Sequence, residues 1–514
     1  MKNLETIFEY HQRTKHYPNR YAASLGYMDW ATQPNPFRSY HGAKELQLPL
    51  ALKNSTPPYN LIFDENGVPS APLCIESISQ LFQFSLGITA YKSANGASWA
   101  LRANASSGNL QPTEGYIIAP PVLGISDKTA ITHYAPYDHS LEILKEFDTT
   151  FWNKLPKESF LVGLSSILWR EVWKYGERGF RYTQLDLGHA LHSLHVSAKM
   201  LGWNLNLVDT CKIEEIDTLF GFDKKERFHS EETEESDLLL LISKEESLTC
   251  KLDTLLNDIP LQHNTVANRL SPSHHQWKII EIINTTTHAA PTSELPLHVS
   301  LKNIRNITIE SKEIVKKRRS AQMMNTSTTQ ITQEEFLTIL QSVYQTRSKT
   351  HFAIFIHDIS DIESGLYFYL RNSDKLETLK NILDEQFIWK EIHENLYLLK
   401  LGDFRTTAKY ISCSQDIAAD GAFSLGMLCE FTFQEDQPQG YKELYYECGA
   451  IGQQLYLEAT SLGLSATGIG CFLDDVMHQL LGIKDMSYQS LYHFTIGRAL
   501  LDSRIQTFEP YLLR

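Results

Sequence analysis

The strongest constraint on this chain is that part of it occurs twice. The run Asp186-Leu187-Gly188-His189-Ala190, continuing through Leu194, Ala198 and Leu201-Gly202-Trp203, aligns without a gap on residues 447–464, at an offset of 261 (447 minus 186). The register still holds at Leu219-Phe220-Gly221 against Leu480-Leu481-Gly482. That period is too long for a solenoid and suits two copies of one domain, fused as the subunits of a dimer would be. In the second copy, Ala450, Ile451, Leu455, Ala459 and Leu462 recur at the spacing of a helix with one buried face. Gly463 stands where a helix-ending glycine belongs, and Ala466-Thr467-Gly468-Ile469-Gly470 reads as a short strand whose glycines let another group approach the backbone. The stretch thus predicts a helix delivering bare backbone to one wall of a ligand site.

With 514 residues, 42% of them hydrophobic, the chain can bury large cores, and its length allows two to four domains. The expected division is a first domain over residues 1–243, a connecting segment over 244–305 and a second domain over 306–514. A net charge of −14, with no basic block beyond Lys316-Lys317-Arg318-Arg319, argues against a general nucleic-acid or membrane-surface role. Seven scattered cysteines, never in Cys-x-x-Cys spacing, argue against a disulfide framework or structural zinc and for a reducing compartment. Residues 1–20 are polar, without the apolar core of a signal or a span, so a cytoplasmic protein is expected.

Along the chain, a helix is predicted over residues 77–90, carrying Ile78, Leu81, Phe82 and Leu86 inward. A tight loop follows and feeds a strand at 115–119, then helices at 167–175 and 181–201. The apolar run 238–242 predicts a buried strand. Thr332-Gln333-Glu334-Glu335 before Phe336 and Leu337 is a capping box that starts a helix.

Several clusters have chemical potential. Arg318-Arg319-Ser320, with Gln322, offers guanidinium forks and a hydroxyl suited to a phosphate, or else cations complementing a helix C-terminus. Ser106-Ser107-Gly108-Asn109 with Gln111 can bond the edge of a planar polar heterocycle, or form an ordinary turn. Lys174 beside Tyr175 can act as a base if partly desolvated, or snorkel to the surface. His189, His192 and His195 share a helix, but the third drifts off the face of the first, and no metal is expected. Cys471, with no partner histidine evident in the sequence, reads as a small wall residue.

Together, the Arg-Arg-Ser run, the Ser-Ser-Gly-Asn-Leu-Gln-Pro loop and the Leu-Gly-Leu…Gly-Ile-Gly-Cys-Phe segment resemble the FMN-dependent nitroreductase superfamily. Lys174-Tyr175-Gly176-x-Arg178, followed by Asp186-x-Gly188-His189, is most similar to the branch containing the azoline oxidases of thiazole and oxazole peptide biosynthesis. The resemblance implies an α+β fold: two fused domains, each a mainly antiparallel sheet flanked by helices, joined through long central helices as an intrachain pseudo-dimer. It implies FMN at the interface, held by Arg318, Arg319, Ser320, Gln322, Gly470, Cys471 and Arg498 or Arg504 of the second copy, with Ser106, Ser107, Asn109 and Gln111 of the first. Gly470 and Cys471 would lie near flavin N5, and Lys174 and Tyr175 would handle the proton.

The departures from that pattern carry expectations of their own. The second copy has no counterpart of the Ser-Ser-Gly-Asn loop, and Leu207-Val208-Asp209-Thr210-Cys211 sets side chains where bare backbone is needed. Arg38-Ser39 echoes a phosphate clamp without its partners. One FMN per chain and a second, degenerate interface site are therefore expected, with a small-molecule or modified-peptide substrate and no need for further association. The alternative is a scaffold subunit of a peptide-modifying complex, flavin-binding or flavin-free, without turnover of its own.

Overall fold

The computed structural model describes residues 2–64, 66–229, 231–260, 262, 264–292 and 308–511; the expected boundary at 305 and 306 lies outside them. Two seven-stranded, fully antiparallel sheets dominate. In space the first runs Lys44–Gln47, Ser140–Phe147, Thr129–Ala135, Thr113–Ala119, Phe160–Ser166, Glu235–Ser243, Asn204–Leu207. The second repeats that order as Lys390–His393, Leu396–Leu401, Gly365–Tyr369, Thr350–Ile356, Phe423–Glu430, Tyr488–Gly497, Ser465–Ile469. The apolar runs explain the central places: Leu238 to Ile242 and Phe352 to Ile356 are buried throughout, as strands covered on both faces must be.

The repeat seen in sequence is a repeat of elements. Helices Gly179–Lys199 and Gly440–Ser461, edge strands Asn204–Leu207 and Ser465–Ile469, and helices Ile213–Phe220 and Asp474–Leu481 each begin 261 residues apart (179 and 440, 204 and 465, 213 and 474). The capping box also forms, with Thr332 Oγ1 accepting from the Glu335 amide ahead of helix Gln333–Gln341. The predicted helix over 77–90 is shorter than expected. Helix Ile75–Gln83 stops early and strand Ile88–Ala94 follows, because the chain turns at Gly87, where a Cβ would lie 2.6 Å from the Gln83 carbonyl oxygen. Periodicity alone missed this, since Leu86 stays buried on either side of the turn.

The two long helices pack on each other at the centre of the molecule. Gly188 and Gly449, which occupy matching places in the repeat, meet there: a Cβ on Gly449 would lie 2.0 Å from the Leu185 carbonyl oxygen and 2.9 Å from Gly188 Cα. Matching residues touching each other is what an isologous interface produces on its axis. Each end of the chain then crosses to the other domain. Helix Lys2–Arg13 sets Phe8 against Phe431 and Phe433 of the second domain. Strand Gln506–Phe508 pairs with Ile88–Ala94 of the first, and Tyr511 donates to the Pro136 carbonyl. The connecting segment is ordered where described: Leu252 and Leu255 enter the first domain's core, and helix Lys278–Thr287 buries Ile279, Ile280 and Ile283 beside Ile7 and Tyr10.

Alanine normally improves an exposed helix over glycine by about 1 kcal/mol. At Gly188 and Gly449 the sign should reverse, with Gly449→Ala costing about 1–3 kcal/mol of overpacking. Urea unfolding of the two single variants checks this; unchanged midpoints would show that the helices do not meet at these residues.

Candidate functional site

The loop 103–111 of the first domain is built by its own polar groups. Gly108 and Asn109 take φ of +58° and +57°, and Gln111 takes +55°, which bends the backbone back on itself. Asn109 Nδ2 donates to the Ala100 carbonyl, Gln111 Nε2 to Asn109 Oδ1, and the Gln111 amide to Ser106 Oγ. The Ser107 amide and hydroxyl both donate to Asp186 of the first long helix, at 2.9 Å to Oδ1. Lys174 and Tyr175 end helix Leu168–Tyr175 directly over this loop: a Cβ on Gly108 would lie 2.8 Å from Tyr175 Oη and 2.9 Å from Lys174 Nζ. The structure therefore brings the lysine–tyrosine pair and the serine–asparagine loop together, although 64 residues separate Lys174 from Leu110 (174 minus 110).

Facing this loop across the seam are groups from the second domain. The buried Arg318 donates from Nε to the Ala103 carbonyl and from Nη2 to the Arg102 carbonyl, with its guanidinium 5.3 Å from the Tyr456 ring centroid. Arg319 follows, half-buried against Thr89 and the Arg318 carbonyl. Burial, and then the like charge of Arg318, push its pKa down to about 10. Neither arginine has a carboxylate ion-pair partner among the described residues, and Lys92 lies near enough to Arg319 for the two charges to interact. Ser320 Oγ bonds Tyr456 Oη at 2.8 Å, and Tyr456 Oη accepts from the Gly468 amide.

Gln453 on the second long helix ties the sides together, accepting from the Ala105 amide and donating to the Ala103 carbonyl. At Gly470 a Cβ would lie 2.6 Å from the Tyr182 ring, whose hydroxyl donates to the Gly470 carbonyl. Gln322 is exposed beyond Ser320, and the Arg498 carbonyl accepts from Asn325 on the same run. Arg504 lies apart from these contacts, its side chain 79% exposed and paired with Asp502.

Sequence reasoning missed Gln453, Tyr182, Tyr456 and Glu171. The one available signal was the adjacent pair Gln453-Gln454 on a helix otherwise apolar at that level. Two of the three histidines bond these amides: His189 Nδ1 bonds Gln453 Oε1, with its Nε2 on Tyr492 Oη, and His192 Nε2 bonds Gln454 Oε1. Burial pushes the pKa of His189 down to about 3 and of His192 to about 4, so both rings are neutral.

Beneath the loop, Glu171 and Asp186 form a buried pair of acids close enough for their charges to interact, with exposures of 0% and 1%, and neither Glu171 carboxyl oxygen has a donor among the described residues. Burial raises Asp186 to about 6 against the bonds from Ser106 and Ser107. Burial, followed by the charge of Asp186, raises Glu171 well above the carboxylate range. Two interacting carboxylates in a dry site cannot both ionise, so the pair holds a proton.

The matching place on the other side of the seam is closed. Glu447, the counterpart of Asp186, accepts from Ser348, and Arg371 fills the gap with its Nη1 2.8 Å from Glu447 Oε1. Ser348 is thus a one-residue remnant of the loop whose counterpart is not visible in the sequence. Arg38 is likewise structural, buried and donating to the Asn268 and Glu232 carbonyls.

Residues 365–498 match the Nitroreductase family. "Putative nitroreductase MJ1384" of Methanocaldococcus jannaschii is 29% identical over 131 residues, 25% of this chain; the match spans 57% of that relative's length. In fold, the crystal structure of "a putative nitroreductase" from Anabaena variabilis aligns over 96% of this chain and 99% of its own, with a TM-score of 0.70 at 20% identity. The E. coli microcin synthetase McbBCD complex, with truncated pro-MccB17 bound, is a far looser likeness, with a TM-score of 0.29 at 15% identity over 48% of this chain and 94% of that one.

The acid pair predicts a pH dependence. An acid whose folded pKa is raised adds stability below its unfolded value, and that stability is lost as pH rises through the folded value, here between 3.8 and about 6 for Asp186. Glu171→Gln keeps the shape and supplies an N–H for Asp186 while removing one ionisable group. Its urea midpoint should match wild type near pH 4 and exceed it increasingly towards pH 8, by up to about 1.4 kcal/mol per pH unit. Parallel curves would show that no proton is shared.

Proposed function

We propose an FMN-dependent oxidoreductase with one flavin mononucleotide in the seam, on the strength of the Nitroreductase match over residues 365–498 and of the fold shared with the Anabaena variabilis structure. The observation that carries the reading is the meeting of Arg318 with loop 103–111 across the seam, with Arg319 and Ser320 following it beside Thr89 and Tyr456. The residues fit the group. Adjacent guanidiniums with no carboxylate at ion-pair distance among the described residues, and only the more distant charge of Glu509 acting on Arg319, suit a phosphate. Asn104 Oδ1 is buried without a hydrogen-bond partner among the described residues, an acceptor beside the loop for the polar edge of a ring.

The cofactor would supply hydride transfer at its N5. Arg319, Ser320 and Lys92 would hold the phosphate, while Arg318 fixes the facing loop through its carbonyls. Gln322 and Arg498 remain candidates for the phosphate side, whereas Arg504, paired with Asp502, lies apart from it. Ser106, Ser107, Asn109 and Gln111 shape the wall opposite, with Gly470 and Cys471 completing it. Tyr175, its pKa raised well above the usual value by burial, keeps its hydroxyl proton at neutral pH and can donate it, with Lys174 Nζ 5.2 Å from its ring centroid. The closed site at Glu447 and Arg371 supports one flavin per chain.

The Lys174-Tyr175 pair favours dehydrogenation of a heterocycle in a modified peptide, with reduction of a quinone or nitro compound as the other use of the same flavin chemistry. No helix among the described residues is long and apolar enough to cross a membrane. We take the protein to work in the cytoplasm, as a monomer whose copies, over residues 1–243 and 306–514, replace two subunits.

The purified protein should absorb in the flavin bands and release about one FMN per chain; a colourless protein that takes up no added FMN would overturn both the enzyme and the flavin-scaffold readings. In fluorescence titration, Arg319→Ala should weaken FMN binding at least tenfold, because a charge-assisted hydrogen bond contributes about 1.5–3 kcal/mol and about 1.4 kcal/mol is a factor of ten. Lys174→Ala should slow turnover while leaving bound FMN unchanged; equal turnover would remove Lys174 from the chemistry, and a flavin-loaded wild type without turnover would favour the scaffold.

A further inference from the structure

Cys471 has a histidine partner after all, supplied from the other end of the chain. The His16 ring sits beside the Cys471 sulfur, and its Nδ1 accepts from the Ala22 amide at 2.9 Å. That bond leaves the proton on Nε2, the nitrogen free to donate to the thiol. The backbone holds the ring in place: His16 bridges Leu473, and its amide donates to Asp474 Oδ2 at 2.9 Å. A second thiol is in contact, with Cys413 Sγ 2.8 Å from Cys471 Sγ.

Cys413 lies on the turn after helix Arg405–Ile411 and takes φ of +54°, a strained value for a residue with a Cβ. Two bonds lock that turn to the Cys471 segment, Leu473 N to the Ile411 carbonyl at 2.7 Å and Gln415 Nε2 to the Cys471 carbonyl at 3.1 Å. Of the seven cysteines, Cys74, Cys413 and Cys471 are half-buried and the other four are buried. Only Cys413 and Cys471 of these three are paired with each other.

We propose that Cys471 and Cys413 form a thiol–disulfide exchange site for small disulfides, with Cys471 as the attacking sulfur and Cys413 as the resolving one. The Cys413 thiol, the His16 ring and the charge of Arg178 all lower the pKa of Cys471, against burial, while contact with Cys471 raises that of Cys413. The Cys471 thiolate attacks one sulfur of a disulfide RSSR, and RS⁻ leaves. Cys413 then loses its proton to solvent and attacks the Cys471 sulfur, expelling the second RS⁻. The two thiols are oxidised to a Cys413–Cys471 disulfide, RSSR is reduced, and the two thiolates take up the released protons as 2 RSH. Tyr21, packed 4.8 Å from the His16 ring and 53% exposed, is the side chain over the entrance. None of this depends on flavin.

The test exposes the reduced full-length protein to oxidised glutathione, alkylates remaining thiols and maps the cysteines by mass spectrometry. Wild type should release two glutathiones and acquire the Cys413–Cys471 link. Cys413→Ser should stop at glutathione bound to Cys471, and Cys471→Ser should react at least tenfold more slowly. His16→Ala should move the midpoint of the rate–pH profile upward. The proposal falls if both residues of the wild-type protein remain thiols, if glutathione collects on Cys74 instead, or if Cys471→Ser reacts as fast as wild type.

Discussion

The contact between Gly188 and Gly449 sets the rest of the molecule. Because neither residue has a side chain, the two long helices approach until the backbone of one touches that of the other. Every group that faces the seam, from Asp186 and His189 on one helix to Gln453 and Tyr456 on the other, is positioned by that approach. Crossed ends reinforce it. Helix Lys2–Arg13 lies on the second domain and strand Gln506–Phe508 joins the hairpin of the first, so the copies cannot part without unpacking both termini.

A single buried carboxylate anchors the wall of the candidate site. Asp474 accepts from Arg178 and Arg181 of the first domain and from the His16 amide, and despite burial the two guanidiniums hold its pKa at about 2. Arg178 also donates to the Thr14 and Gly470 carbonyls, so one ionic node joins the N-terminal segment, the first long helix and the glycine-rich strand end. Breaking such a pair leaves an uncompensated buried charge, which makes the node a determinant of geometry more than of net stability.

The two sides of the seam descend from one plan and have diverged in electrostatics. On one side Asp186 holds the loop through Ser107, and Arg318 and Arg319, with no carboxylate at ion-pair distance among the described residues, face it. On the other, Glu447 holds only Ser348, and the guanidinium of Arg371 neutralises it in place. A charge left uncompensated is available to an anion, whereas a charge already paired is not. This difference, more than any loss of fold, separates the open place from the closed one.

The sequence by itself determined the duplication and the places of its main helices and strands, though not their ends, because these rest on local periodicity, on caps such as Thr332 and on a register of 261 residues that survives in the helices and edge strands; the antiparallel sheets followed only from the family resemblance. It also marked the two halves of the candidate site, at residues 106–111 and 318–322. Only the tertiary structure decided which groups answer them. His16 reaches Cys471 and Gln453 reaches Ala105 across hundreds of residues, and the acid pair of Glu171 and Asp186 becomes one only when burial forces their carboxyls together. Local pattern reports how a segment satisfies its own backbone and apolar face, while a partner, a tautomer or a shared proton is set by whatever the fold packs against it.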